Sequence, residues 1–120
     1  ILGGDDLALI ASDGYPVSPG HALIIPRRHV GSFFETTAAE RASLLQLLDR
    51  AKAIIDAEFH PDACNIGINN GRAAGQTIAH LHIHLIPRYA GDSPDPRGGV
   101  RWVIPDRADY WTERDQAPPT

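Results

Sequence analysis

The apolar positions of the chain fall into two periods. "DLALIAS" (6–12), "HALIIP" (21–26) and "CNIGIN" (64–69) are short apolar or alternating runs bounded by turn residues. They read as strands, the second one stopped by Pro26. Between the second and third, "TTAAERASLLQLLDRAKAIIDAEF" (36–59) changes to helical spacing. Leu44, Leu47, Leu48, Ala51, Ile54 and Ile55 form one stripe. Thr37 is placed to cap this helix, with Glu40 three residues on completing a capping box. "HPD" (60–62) ends it. The most regular period-2 segment is "TIAHLHIHLIPR" (77–88), expected as one continuous strand. Ala79, Leu81, Ile83 and Leu85 point one way; His80, His82 and His84 point the other.

The connections carry turn signals: "DGYP" (13–16) and the glycine-containing "NGRAAGQ" (70–76). Residues 90–99 are rich in Pro, Gly and Asp and are expected to be irregular. "VRWVIP" (100–105) reads as a further extended segment, and "DQAPPT" (115–120) as a frayed end. Several short strands, one long helix and no βαβ alternation predict an α+β domain with an antiparallel sheet.

Composition narrows the function classes. A chain of 120 residues is one domain by length and can bury a core without staples. A net charge of −4 leaves no general basic footprint, so no nucleic-acid partner is expected. No apolar run approaches the ~20 residues of a membrane span, so no membrane partner is expected either. The single cysteine, Cys64, permits no intrachain disulfide and fits a reducing compartment, so a cytoplasmic location is expected.

Half of the six histidines stand at 80, 82 and 84. A merely solvated strand face would mix Thr, Lys, Glu and Ser, not three imidazoles. Along an ideal strand the outer two lie ~13 Å apart at Cα. Two nitrogens on one zinc can be only about 3.5 Å apart, so a site would need a ligand from elsewhere, such as His21 or an Asp. There is no CxxC and no HExxH. Direct chemistry by the imidazoles is the remaining reading, because histidine titrates near neutrality and serves as nucleophile, acid or base.

"HLHIHLI" resembles the His-x-His-x-His-apolar-apolar signature of the histidine triad (HIT) proteins. Three further blocks carry the likeness. "GQTIAHLHIHLIPR" (75–88) resembles the family's entry into the triad strand. "NNG" (69–71) is similar to its polar residue followed by Gly. "SPGHALIIPRRH" (18–29) resembles its Pro-Gly-His strand with a basic Pro-x-x-His exit. Asp13 lies eight residues before His21, where relatives carry Asp or Asn. The blocks run in the family's order from about Leu7 to Arg88.

The resemblance implies a HIT-like fold over 1–120, with a core of about 5–90 and a C-terminal extension of 91–120. It also implies a homodimer whose sheets continue across the interface. The implied reaction is nucleotidyl transfer to water at the α-phosphorus of a nucleoside phosphate joined to an amine, a phosphate chain or an acyl group. His82 would be the nucleophile. His84 would donate to a non-bridging oxygen, His80 would set geometry or assist proton transfer, and His21 would support the triad. Asp13 would bind the ribose, and Asn69, Gly75, Gln76, Thr77 and Ile78 would hold phosphate and leaving group. No resident metal or cofactor is implied, although a divalent cation on the substrate phosphates is compatible. Asn69 fits the phosphoramidate branch and "LIPR" the polyphosphate branch, so the leaving group stays open. A non-catalytic nucleotide-binding module and a phosphorylase are the alternatives. His29 and His60 receive no role.

Overall fold

A computed structural model describes residues 1–116. Five antiparallel strands form one sheet: β1 (Gly3–Gly4), β2 (Ala8–Ser12), β3 (Ala22–Pro26), β4 (Ala63–Ile68) and β5 (Ile83–Arg88). Their order across the sheet is β1-β2-β3-β5-β4. The last strand in sequence is therefore inserted between β3 and β4, with neighbours on both sides. His84 pairs with Leu23 of β3 and with Gly67 of β4.

Helix α1 (Ala38–Phe59) lies on one face of the sheet. Its buried stripe of Leu44, Leu47, Ala51 and Ile55 meets Ala8, Ile10, Ala22, Ile24, Leu81, Ile83 and Leu85 in one core. Leu48 and Ile54 pack against that core half-buried. The expected capping box is present: Glu40 N–H donates to Thr37 Oγ1 at 3.1 Å, and Thr37 N–H to Glu40 Oε1 at 2.8 Å. Arg28 adds a two-point contact to the Glu40 carboxylate at 2.9 and 3.1 Å. This guanidinium and the Thr37 N–H together hold the Glu40 carboxyl down to about 2.

Two sequence expectations need correction. β5 begins at Ile83, so the strand expected over 77–88 is half as long. The pairing with β3 stops at Ile24–Ile83, and Leu81 N–H turns to the Val30 carbonyl at 2.7 Å. "VRWVIP" is not extended: Gly99–Val103 forms a 3-10 turn. Gly98 and Gly99 both take positive φ there, a backbone that β-branched residues avoid. β1 is an addition, a two-residue glycine strand with no apolar period to reveal it.

The chain divides into two compact units, Ile1–Tyr89 and a second starting at Ala90. The second holds the 3-10 turn, α2 (Pro105–Ala108) and α3 (Trp111–Gln116), two short helices the pattern did not predict. Arg97 lies over Trp111 and Arg101 over Tyr110, each with its guanidinium carbon under 5 Å from the ring centre. Arg101 also donates to the Ala108 and Arg107 carbonyls. Of the end expected to be frayed, Asp115 and Gln116 instead close α3, and residues 117–120 lie outside the described residues. No helix among the described residues is long and apolar enough to cross a membrane.

Candidate active site

The histidines occupy the sheet face opposite α1. Of the three, only His84 sits within a hydrogen-bonded strand; His80 ends a bend over 78–80, and His82 immediately precedes β5. The alternation outlasts the strand nonetheless. Leu81, Ile83 and Leu85 are buried, and His80, His82 and His84 are half-buried on the other side; Ala79, expected with the buried set, is exposed because the chain bends over 78–80. Burial keeps the period because it needs side-chain direction, not a ladder.

His82 places Nδ1 3.0 Å from the His80 carbonyl oxygen. A carbonyl only accepts, so Nδ1 carries the proton and Nε2 of neutral His82 keeps its lone pair. His80 thus acts on its neighbour through its backbone. Its own ring donates from Nε2 to the Pro26 carbonyl at 2.8 Å and meets His29 edge-on, with ring centres 5.2 Å apart.

His84 and His21 form a second linked pair. Val17 N–H donates to His21 Nδ1 at 3.2 Å, which leaves the proton of neutral His21 on Nε2. His21 Nε2 lies 3.0 Å from His84 Nδ1 and 3.4 Å from Asp13 Oδ2. With Nδ1 of His84 accepting, its proton sits on Nε2. One backbone N–H therefore sets both tautomers. Burial pushes the pKa of His21 down, against the pull of Asp13. Burial does the same to His84, reinforced by the nearby His82 and His21 rings and opposed by Asp13. The His82 and His84 rings meet edge-on with centres 4.9 Å apart.

Gly20 explains how His21 arrives there. It has φ +86°, and a Cβ on it would meet Phe59 Cδ2 of α1 at 2.9 Å. Only glycine lets this turn lie so close to the helix, and His21, 4% exposed, is delivered next to the sheet.

A cavity of about 430 Å³ opens on this face. It gathers all of the expected residues except His21: His80, His82, His84, Asp13, Asn69, Gly75, Gln76, Thr77 and Ile78. His21 lies behind His84. Leu23, Ile25 and Tyr15 complete the lining and were not singled out from the sequence. The signal for the first two was present, since they alternate with the buried Ala22 and Ile24 and so face the histidines.

The loop residues divide by occupation. Gln76 uses its amide to hold the loop: Oε1 accepts from Gly71 N–H at 2.8 Å, and Nε2 donates to the Gly31 and Ile78 carbonyls at 2.9 and 3.0 Å. Gly71 and Gly75 take φ of +98° and +96° in this turn. Asn70 is tied to Ser32 and Phe33. Among the described residues, the Asn69 side chain and the N–H groups of Thr77 and Ile78 engage no partner. Asp13 accepts from Tyr15 N–H through Oδ1 at 2.8 Å, and its Oδ2 faces His21.

Asp13, His21 and His84 bring three donor atoms within 4.8 Å, close enough to share one cation. The proton inventory opposes this. Val17 N–H keeps the His21 proton on Nε2, the atom that would have to bind the ion. The arrangement suits acid–base and nucleophilic chemistry: an unprotonated nitrogen on His82 beside an N–H on His84, above an open cavity.

Comparison with known proteins identifies the family. The sequence profile of the HIT domain matches residues 1–91. The chain is 40% identical over 77 residues to the bis(5'-nucleosyl)-tetraphosphatase [asymmetrical] of Schizosaccharomyces pombe, covering 64% of this chain and 42% of that protein. It is 38% identical over 80 residues to the AP-4-A phosphorylase of Mycobacterium tuberculosis, covering 66% of this chain and 41% of that one. It thus spans less than half the length of these two relatives. A solved HIT family protein from Bacillus anthracis superposes with a TM-score of 0.70 at 35% identity, covering 77% of this chain and 67% of that one. With this profile match, these relatives and the triad on its sheet face, the chain belongs to the HIT domain family.

Proposed function

We propose that the chain hydrolyses nucleotides at the α-phosphorus through a nucleotidyl-histidine on His82. The observation that carries this is the His82 Nδ1 contact to the His80 carbonyl, which leaves Nε2 unprotonated on the cavity. Nε2 attacks the α-phosphorus, the P–N bond to His82 forms, and the bond to the leaving group breaks. Water then cleaves the P–N bond and releases a nucleoside monophosphate. Two easier displacements replace one. His84 donates from Nε2 to a non-bridging oxygen as charge develops. His21 is a positioning residue that fixes the His84 tautomer. His80 positions His82 through its carbonyl. Asp13 accepts from the ribose hydroxyls, and Leu23 with Ile25 gives apolar surface for the nucleoside. Asn69 and the Thr77 and Ile78 N–H groups take the phosphate and leaving group. Gln76 and Gly75 shape the loop that presents them.

No metal or cofactor is required in this scheme; a divalent cation on the substrate phosphates is compatible with it. The names of the two relatives favour a dinucleoside polyphosphate as substrate. A phosphoramidate would use the same His82 step, the amine leaving with the electron pair of the broken P–N bond and a proton taken from solvent. The phosphorylase name of the mycobacterial relative gives a second reading, in which phosphate rather than water attacks the intermediate. A homodimer is part of the proposal. β4 is a free edge in the described sheet, with Ile66 49% exposed on it.

A substrate panel read by phosphorus NMR tests the reaction. Release of AMP from a dinucleoside polyphosphate or an adenosine phosphoramidate is expected. ADP that appears only with added phosphate would select the phosphorylase reading. AMP binding without turnover of any α-linked substrate would contradict both.

A further inference from the structure

The cavity has an apolar side that the triad chemistry does not use. Leu23 and Ile25 line it, half-buried, on the sheet face that carries His84. Tyr15 lines it from the β2–β3 connection and is 92% exposed. An aromatic ring left so open gives up the burial that a core position offers. Its backbone is nonetheless fixed. Tyr15 N–H donates to Asp13 Oδ1 at 2.8 Å, and Pro16 restricts Tyr15 to extended geometry. A backbone held by Asp13, an open aromatic face and a shared cavity wall occur together.

We propose that Tyr15 is the stacking platform for the substrate's nucleobase, with Leu23 and Ile25 as the apolar surface alongside. The inference rests on the nucleotide reading above. A ribose held by Asp13 keeps its base near Tyr15, because the same carboxylate anchors the Tyr15 backbone. Stacking reads the flat face of a base and not its hydrogen-bonding edge. The site therefore separates nucleosides from base-free ribose phosphates and discriminates weakly between purines.

The test compares adenosine 5′-phosphoramidate with ribose 5-phosphoramidate, which has the same leaving group and no base. Tyr15→Ala is expected to lower kcat/KM for the nucleoside about tenfold and to leave the base-free substrate unchanged. Tyr15→Phe and Tyr15→Trp keep the wild-type preference. Calorimetry with AMP and ribose 5-phosphate reads the same contrast without turnover. An equal fall on both compounds, or no change on either, overturns the inference. So does a wild-type chain that binds AMP no better than ribose 5-phosphate. If no substrate turns over yet Tyr15→Ala still loses AMP affinity selectively, the hydrolase reading fails and the stacking role stands.

Discussion

His80 and His82 are two residues apart, both half-buried, and finish in different circumstances. The His80 ring is committed to the Pro26 carbonyl and to His29. The His82 ring has one nitrogen committed and the other unprotonated on the cavity. Spacing made the two look alike; their hydrogen-bond partners separate them. A histidine becomes a nucleophile when something else holds its proton on the far nitrogen. Here that group is a backbone carbonyl, not a carboxylate. The same logic applies one step away, where Val17 N–H sets the tautomers of His21 and His84.

This contrast can be broken residue by residue. His82→Ala should lower turnover at least about 1,000-fold while circular dichroism shows an intact fold, since a covalent step is lost outright. His84→Ala should cost about 100- to 1,000-fold in kcat, the usual range for one donor to a developing oxyanion. His80→Ala should cost only about tenfold, because the carbonyl that holds His82 survives the change. Equal losses for His80→Ala and His82→Ala would end the distinction drawn between them.

Stability measurements sharpen the picture further. Gly20→Ala combines a strained positive φ with a 2.9 Å approach to Phe59, and urea unfolding should show a loss of about 2 kcal/mol. The pH dependence should come in two stages. His21 and His84 have folded pKa values below the ordinary 6.5, so the unfolded chain binds protons first as pH falls. Stability is full above pH 6.5 and declines as pH drops through the folded values. Glu40 adds a second decline, from its ordinary 4.5 down to about 2. His21→Asn should shrink the first stage to the part that the buried His84 supplies and leave the second, as followed by thermal melts across pH.

Much of this was readable in the sequence where burial imposes a period. The α1 stripe and its capping box are cases, and so is the alternation through 80–85. The end of β5 was not readable, because side-chain direction continues where the ladder stops and the Val30 carbonyl takes over. The work of Gln76 on Gly71, Gly31 and Ile78 was hidden for a related reason. Its partners are backbone atoms, two of them far along the chain or across a turn, and backbone atoms leave no trace in residue identity. His29 beside His80 and Asn70 on Phe33 depend on tertiary placement in the same way. The 3-10 turn at Gly99–Val103 was missed because the apolar letters of "VRWVIP" outweighed the two glycines in front of them.

The central claim is that His82, and not another imidazole, carries the nucleotide. Rapid quenching during turnover of a radiolabelled substrate, followed by peptide mapping at alkaline pH, reads this directly. The account predicts an acid-labile nucleoside monophosphate adduct on the ring of His82, absent in His82→Ala. Steady turnover with the label on any other side chain, or with no adduct at any quench time, would contradict it.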